Sequence, residues 1–253
     1  MAKKYDIIYS IGRDCACATY LQKNGLRLTS GPFDWLTNAN LEDRFTLLLN
    51  DFKYFLDEKY LKQMPKPTQF PADKNNDYYE NTKTHLYFWH DFSADKSFEE
   101  AYPEVKRKYE RRIKRFYNNV KNKDKVLLIW FSQVHQTPDD VVIDLCNRFS
   151  EKMGKTIDFL IIEHSEGLNG AKKQMLANNI ERWYCHATKF DDLGVPQTLG
   201  NTEIVEPIFL QQQLIIPLSD KIKKFLLKVL SRVICLFVPV KKWRKKIRKF
   251  FAV

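Results

Sequence analysis

Residues 126–163 read VLLIWFSQVHQTPDDVVIDLCNRFSEKMGKTIDFLIIE. Val126–Phe131 is a short, unbroken apolar run of the kind that forms a buried strand. Pro138–Met153 has helical periodicity, with Thr137 placed to cap it. Ile157–Glu163 is a second buried strand. Strand, helix and strand in this order are the unit of a parallel sheet. Downstream, a helix is expected near Ala171–Asn178 and a third strand at Glu181–His186. Upstream, Asp6–Ile11 reads as a buried strand closed by Gly12. Asp14 then caps a helix over Cys15–Lys23 that ends at Asn24-Gly25. Thr29–Trp35 is a loop turning at Gly31-Pro32, and Leu41–Leu56 has helical periodicity. Residues 62–84 are polar, rich in Pro, Asn and Lys, and read as an exposed excursion. His85–Phe92 is an aromatic strand, and Tyr102–Val120 a long charged helix. The fold class is therefore α/β, a largely parallel sheet with flanking helices, followed by C-terminal amphipathic helices.

The chain has 253 residues, 44% of them hydrophobic and 14% aromatic, enough for a real core and incompatible with a wholly disordered chain. Its net charge of +11 is unevenly spread. Residues 221–253 hold 12 of the 42 Lys and Arg and no Asp or Glu, so the first 220 residues carry 30 basic residues against all 31 acids. The expected organisation is a near-neutral globular domain over 1–217 and a cationic tail over 218–253, not a basic nucleic-acid-binding domain. The opening apolar run is too short for a signal-peptide core. The five cysteines, at 15, 17, 146, 185 and 235, are an odd, scattered set rather than a secreted disulfide framework. Both features lead us to expect a cytoplasmic protein with reduced thiols. Cys15-Ala-Cys17 and the pair Cys185-His186 do not make the two spaced ligand pairs of a structural zinc site, so neither metal nor cofactor is expected.

The sharpest local feature is Ser10-Ile-Gly-Arg-Asp-Cys15, which sets a thiol at the first turn of a helix where a strand ends. Free N–H groups and the helix dipole favour a thiolate there, Arg13 adds positive charge, and strand ends are where α/β sheets bind ligands. Buried cysteines also serve simply as small packing residues. Cys17 lies about 200° around the helix and faces elsewhere. A nucleophilic cysteine needs a histidine to take its proton. His90 sits among aromatics in Trp89-His-Asp-Phe92, while His135 and His164 each follow a strand of the parallel sheet; His85 and His186 have less context. Asp34, Asp91 and Glu163 could each orient an imidazole. Asp91 adjoins His90, and neighbours in a strand point to opposite faces, which favours Asp34.

The segments IIYSIGRDCACATYLQKNGLRLTSGPFDWL (7–36), HLYFWHDF (85–92) and YERRIKRF (109–116) resemble a bacterial family of papain-like cysteine peptidases. Its pattern of S-x-G-x-x-C, L-R, P-F-D-W and H-D-F falls on Ser10, Gly12, Cys15, Leu26, Arg27, Pro32, Phe33, Asp34, Trp35, His90, Asp91 and Phe92. The resemblance covers about residues 5–200. It implies a nucleophile at Cys15 and a histidine partner at His90, and it names no substrate. It also implies, as the alternative architecture, a papain-like α+β arrangement with the cysteine-bearing helix on an antiparallel sheet. With Asp34 as orienting group, Arg13, Arg27, Trp35 and Asp91 are the residues expected to bind substrate.

The tail reads KIKKFLLKVLSRVICLFV (221–238), then KKWRKKIRKFFAV after Pro239. Ile222, Phe225, Leu226, Val229, Leu230, Val233 and Phe237 share one helical face, flanked by Lys224, Lys228 and Arg232. Trp243, Ile247, Phe250 and Phe251 form a second stripe among cations that include Arg244 and Lys245. The interrupting charges suit a helix lying in an interface rather than spanning it. The expected partner is an anionic membrane surface on the cytoplasmic side, bound through Lys224, Phe225, Lys228, Arg232, Trp243, Arg244, Lys245 and Phe250; nucleic acid is not expected. The expected activity is cysteine-dependent hydrolysis of a peptide or amide. Acyl or glycosyl transfer on a lipid-linked glycan is the competing enzymatic reading, and a non-catalytic membrane-attached binding protein the third.

Overall fold

The computed structural model describes residues 2–65, 75–134, 136–217, 222, 226, 227 and 229–234. The chain divides into two compact units, 1–214 and 215–253.

In the first unit, β1 (Lys3–Tyr5) leads into β2 (Ile7–Ser10), whose four residues are all buried. Helix α1 follows at once over Cys15–Lys23. A four-stranded antiparallel sheet is built next, from β3 (Leu36–Asn38), β4 (Leu61–Met64), β5 (Asn76–Asn81) and β6 (Leu86–Ser93), in the order β3-β6-β5-β4. Helix α2 (Leu41–Leu49) lies between β3 and β4 in sequence, and α3 (Phe98–Asn122) comes after β6. The remaining elements are β7 (Val126–Ser132), α4 (Asp139–Met153), β8 (Asp158–His164), β9 (Ala171–Ala177), β10 (Ile180–Cys185), α5 (Thr202–Phe209) and β11 (Gln212–Leu214).

The main sheet runs β2-β7-β8-β10-β9, parallel throughout except for the antiparallel pair β10-β9. Strands β2, β7 and β8 are buried on both sides because helices cover both faces there. Tyr9, Leu128 and Trp130 share one core with Phe45 of α2, Phe116 of α3 and Phe149 of α4. On the opposite face, Phe131 meets Tyr20 of α1 edge-on at 5.9 Å, and Tyr20 stacks on Phe209 of α5 at 4.7 Å. This is the α/β architecture expected from residues 126–163. The papain-like alternative is corrected in one respect: the cysteine-bearing helix packs on the parallel sheet, and the antiparallel sheet is a separate layer carrying His90.

Other differences are local. The segment Ala171–Ala177, expected to be helical, is the edge strand β9, hydrogen-bonded to β10. Its Ala, Lys, Gln, Met and Leu favour a helix intrinsically, but pairing with a strand already anchored in the sheet outweighs that preference. The supposed excursion 62–84 supplies β4 and β5, where Tyr78 and Tyr79 are buried. Helix α2 stops at Leu49, seven residues before its expected end, and left-handed Asp51, Phe52 and Tyr54 turn the chain. Thr137 does not cap α4; its N–H and hydroxyl donate to Glu163 instead, at 3.2 and 3.1 Å.

In the second unit, residues 222, 226, 227 and 229–234 are helical, and Ile222, Leu226, Val229, Leu230 and Val233 are exposed. Among the described residues, no helix is long and apolar enough to cross a membrane.

Candidate active site

The tight passage from β2 into α1 explains the S-x-G-x-x-C spacing. The Ser10 hydroxyl oxygen accepts the Gly12 N–H at 3.2 Å. A Cβ on Gly12 would lie 2.3 Å from the Cys17 Cβ and 3.3 Å from the Phe131 carbonyl oxygen, so glycine lets the helix start close against β7. The Arg13 N–H donates to Phe131 O at 3.0 Å. Asp14 has extended backbone and accepts the Ala16 N–H at 2.9 Å, the N-cap its position demanded. Cys15 is thereby the first residue of α1, half-buried, at the C-terminal end of an edge strand of the main sheet.

His90 comes from the other layer. The pairing of β5 with β6 slips between Asp77/Phe92 and Tyr79/Phe88, so β6 bulges around residues 89–91. Bulges of this kind re-aim side chains. Here His90 is exposed and its Nε2 lies 3.9 Å from the Cys15 sulfur. Asp91 turns to the opposite side, pairing with the Lys108 ammonium and accepting the Tyr109 hydroxyl at 2.9 Å.

The remaining expected residues serve the surrounding frame. Asp34 is buried, accepting from Arg27 Nη1 at 3.1 Å and from the Gly31 N–H at 3.2 Å. These bonds close the 27–34 loop on itself and bring Asp34 to Arg27 rather than to His90. Trp35, in a left-handed conformation at φ 71°, lies 5.7 Å from the Arg27 guanidinium. The segment P-F-D-W is thus a locked loop: Phe33 is its buried plug, Asp34 its internal tie and Trp35 its partly exposed face. Arg13 interacts electrostatically with Asp14 and Tyr87.

Among the described residues, the other histidines have their contacts elsewhere than at Cys15. His164 Nδ1 accepts the N–H groups of Ala187 and Thr188, and its ring is 5.4 Å from that of His186. His85 faces Asp43 at 3.0 Å. His135 lies outside the described residues, as do Lys224, Phe225, Lys228, Trp243, Arg244, Lys245 and Phe250; Arg232 is described, helical and exposed. Glu163 is fully buried, taking the Trp130 indole N–H at 2.8 Å, both Thr137 donors and the Arg182 guanidinium. It knots β7, β8 and β10 together and has no part at Cys15. Among the described residues, no group of three or more His, Cys, Asp or Glu is placed to hold a metal ion.

The electrostatics correct one expectation. Burial, followed by the Asp14 carboxylate, pushes the Cys15 thiol up to about 12, although Arg44 pulls the other way. Cys15 therefore rests as a neutral thiol, not the thiolate expected from its helix-start position. Cys17 is fully buried, its sulfur 3.4 Å from the Ile129 carbonyl, and burial pushes it up to about 12 as well.

Arg44 escaped the sequence reading. It occupies the apolar stripe of α2 formed by Leu41, Phe45 and Leu48, and a charge in that register was the available signal.

A family model described as "putative papain-like cysteine peptidase" matches residues 6–167, more than half of the chain. The chain belongs to this family. The match runs from β2 through β8 and takes in Cys15, the P-F-D-W loop, Arg44 and His90. The protein is also 31% identical over 134 residues to "Uncharacterized protein R408" of Acanthamoeba polyphaga mimivirus, a match spanning 49% of this chain. It spans about 60% of that relative's length. No solved structure matches. The description of this family names a hydrolase of the cysteine-peptidase type.

Proposed function

We propose that the protein hydrolyses a peptide or amide bond through a Cys15–His90 dyad, while the tail over 218–253 holds it against an anionic membrane surface on the cytoplasmic side. The 3.9 Å approach of the Cys15 sulfur to His90 Nε2 carries the reading, because the two residues lie 75 positions apart, one at the start of α1 and the other on β6. A neutral thiol sets the order of events. His90 accepts the thiol proton as the sulfur attacks the acyl carbon, so proton transfer accompanies bond formation. The carbonyl oxygen takes up the negative charge facing the first N–H of α1, that of Cys15; the Ala16 N–H is already engaged by Asp14. His90 returns the proton to the departing amine, leaving a thioester on Cys15. Water, deprotonated by His90, then attacks the thioester; the acid leaves and the thiol is restored. Asp34 takes no part as an orienting group in this scheme. It holds the loop beside the site, and Asp91 anchors the bulge that presents His90.

Membrane attachment is supported by the 12 cations of residues 221–253, with no acid among them, and by the exposed apolar residues Ile222, Leu226, Val229, Leu230 and Val233.

Incubation with a p-nitrophenyl acyl ester followed by intact-mass and peptide-mapping measurements tests the catalytic half. An acyl adduct on Cys15 is expected, absent in Cys15→Ala and slow to form in His90→Ala. No adduct at Cys15, with sluggish labelling spread over the cysteines, refutes the enzyme and leaves the binding-protein reading.

A further inference from the structure

Arg44 is fully buried, and its guanidinium meets only backbone carbonyls: Nη2 donates to Arg13 O at 2.8 Å and Leu36 O at 3.1 Å, and Nε to Ala39 O at 3.3 Å. Phe33 and Trp130 flank it, at 5.1 and 6.0 Å from its charge centre to the ring centroids. The remaining nitrogen, Nη1, is buried with no hydrogen-bond partner. A buried cation without a bonded carboxylate is costly and is retained where its charge or its bonds are needed. We propose that Arg44 is a positioning residue for Cys15, clamping the strand-to-helix turn through the Arg13 carbonyl and supplying the buried positive charge that offsets the negative charge formed during attack.

This inference rests on the Cys15–His90 reading and deepens it. A count of charges around the sulfur supports it. Arg44 approaches from α2, Arg13 and Asp14 from the turn, Cys17 from α1, and His90 and Asp91 from β6; Tyr87 of β6 faces Arg13. Asp91 is neutralised by Lys108. With Cys15 and Cys17 as thiols, the two arginines against Asp14 leave one positive charge in excess. Ionisation of Cys15 balances it. The Arg44 charge also favours the thiolate more than any other group here, opposing burial and Asp14. Removing the Arg44 charge strips the site of that balance; replacing it with another cation keeps the charge but loses the planar fork that reaches three carbonyls.

The test is the rate of iodoacetamide alkylation at Cys15, read by mass spectrometry across a pH series, in the full chain and in Arg44→Gln, Arg44→Lys and His90→Ala. Gln keeps a planar donor group without charge, so its curve is expected to move to higher pH, slowing alkylation about tenfold or more at any fixed pH below the plateau. Lys is expected to stay close to the parent curve even though the fold loses stability. Coincident curves for all three side chains at position 44 overturn the inference, and so does an equal slowing by Gln and Lys, which would mark Arg44 as structural only. Should Arg44→Gln fail to fold, the equally uncharged Arg44→Met at low temperature replaces it, judged by the same curve. If the parent Cys15 reacts no faster than buried Cys17 and His90→Ala changes nothing, the nucleophile reading itself falls and takes this inference with it.

Discussion

At the scale of single residues, the site is set by a thiol whose burial outweighs its place at a helix start. Because Cys15 is pushed up to about 12, its thiolate fraction stays small near neutrality and rises about tenfold per pH unit. Alkylation of Cys15 should therefore climb steadily across about pH 7–10 with no plateau; a plateau near neutrality would reveal a preformed thiolate–imidazolium pair and require a different mechanism. Gly12 is the other decisive residue. Gly12→Ala puts a Cβ 2.3 Å from the Cys17 Cβ, where helix and strand cannot both stay in place. Overpacking of this kind costs about 1–3 kcal/mol. The urea midpoint should fall accordingly, and Cys15 should lose its selective acylation even in the protein that remains folded.

At the scale of elements, the same strand performs two tasks through its bulge: β6 presents His90 to α1 and ties Asp91 to α3. The edge of the main sheet is held differently. Glu181 on β10 accepts from Lys3 of β1 at 2.8 Å and from the Trp183 indole at 2.8 Å, and pairs with Lys173 of β9 at 3.0 Å. Burial opposes its ionisation, but these donors together hold the carboxyl below its ordinary 4.5. A carboxyl depressed in the folded state stabilises above its unfolded value, and that stability is lost as pH falls through the folded value. The Glu181→Gln variant should be less stable than the parent at pH 6–8, by about 1 kcal/mol for a partly exposed charge network. The difference should shrink towards zero as denaturation is followed down to about pH 3. A gap that persists unchanged in acid would mean that the clip acts through shape and not charge.

At the scale of the whole molecule, charge separates the chain into a near-balanced body and a cationic tail. Basic residues near an anionic leaflet contribute about 1 kcal/mol each, and the attraction is screened by salt. Deleting residues 218–253 should abolish co-sedimentation with phosphatidylserine-containing vesicles while Cys15 still acylates. Raising the salt should weaken binding of the full chain. Undiminished binding by the truncated protein would place the membrane contact elsewhere or nowhere.

Local patterns determined much of this. Apolar runs at 7–9, 126–131 and 159–162, together with the Asp14 cap, specify strands and a helix start through side chains close in sequence, so the α/β class and the position of Cys15 follow from the chain itself. Tertiary structure alone decided the rest, because the deciding forces act between distant residues. The helix-forming segment 171–177 became a strand when β10 offered it hydrogen bonds. Asp34 was claimed by Arg27 and the Gly31 amide, not by an imidazole. Arg44 became a buried cation bonded to the carbonyls of Arg13, Leu36 and Ala39. The sulfur expected to be ionised was instead held as a thiol, since desolvation depends on what the folded chain packs around it and on no residue type by itself.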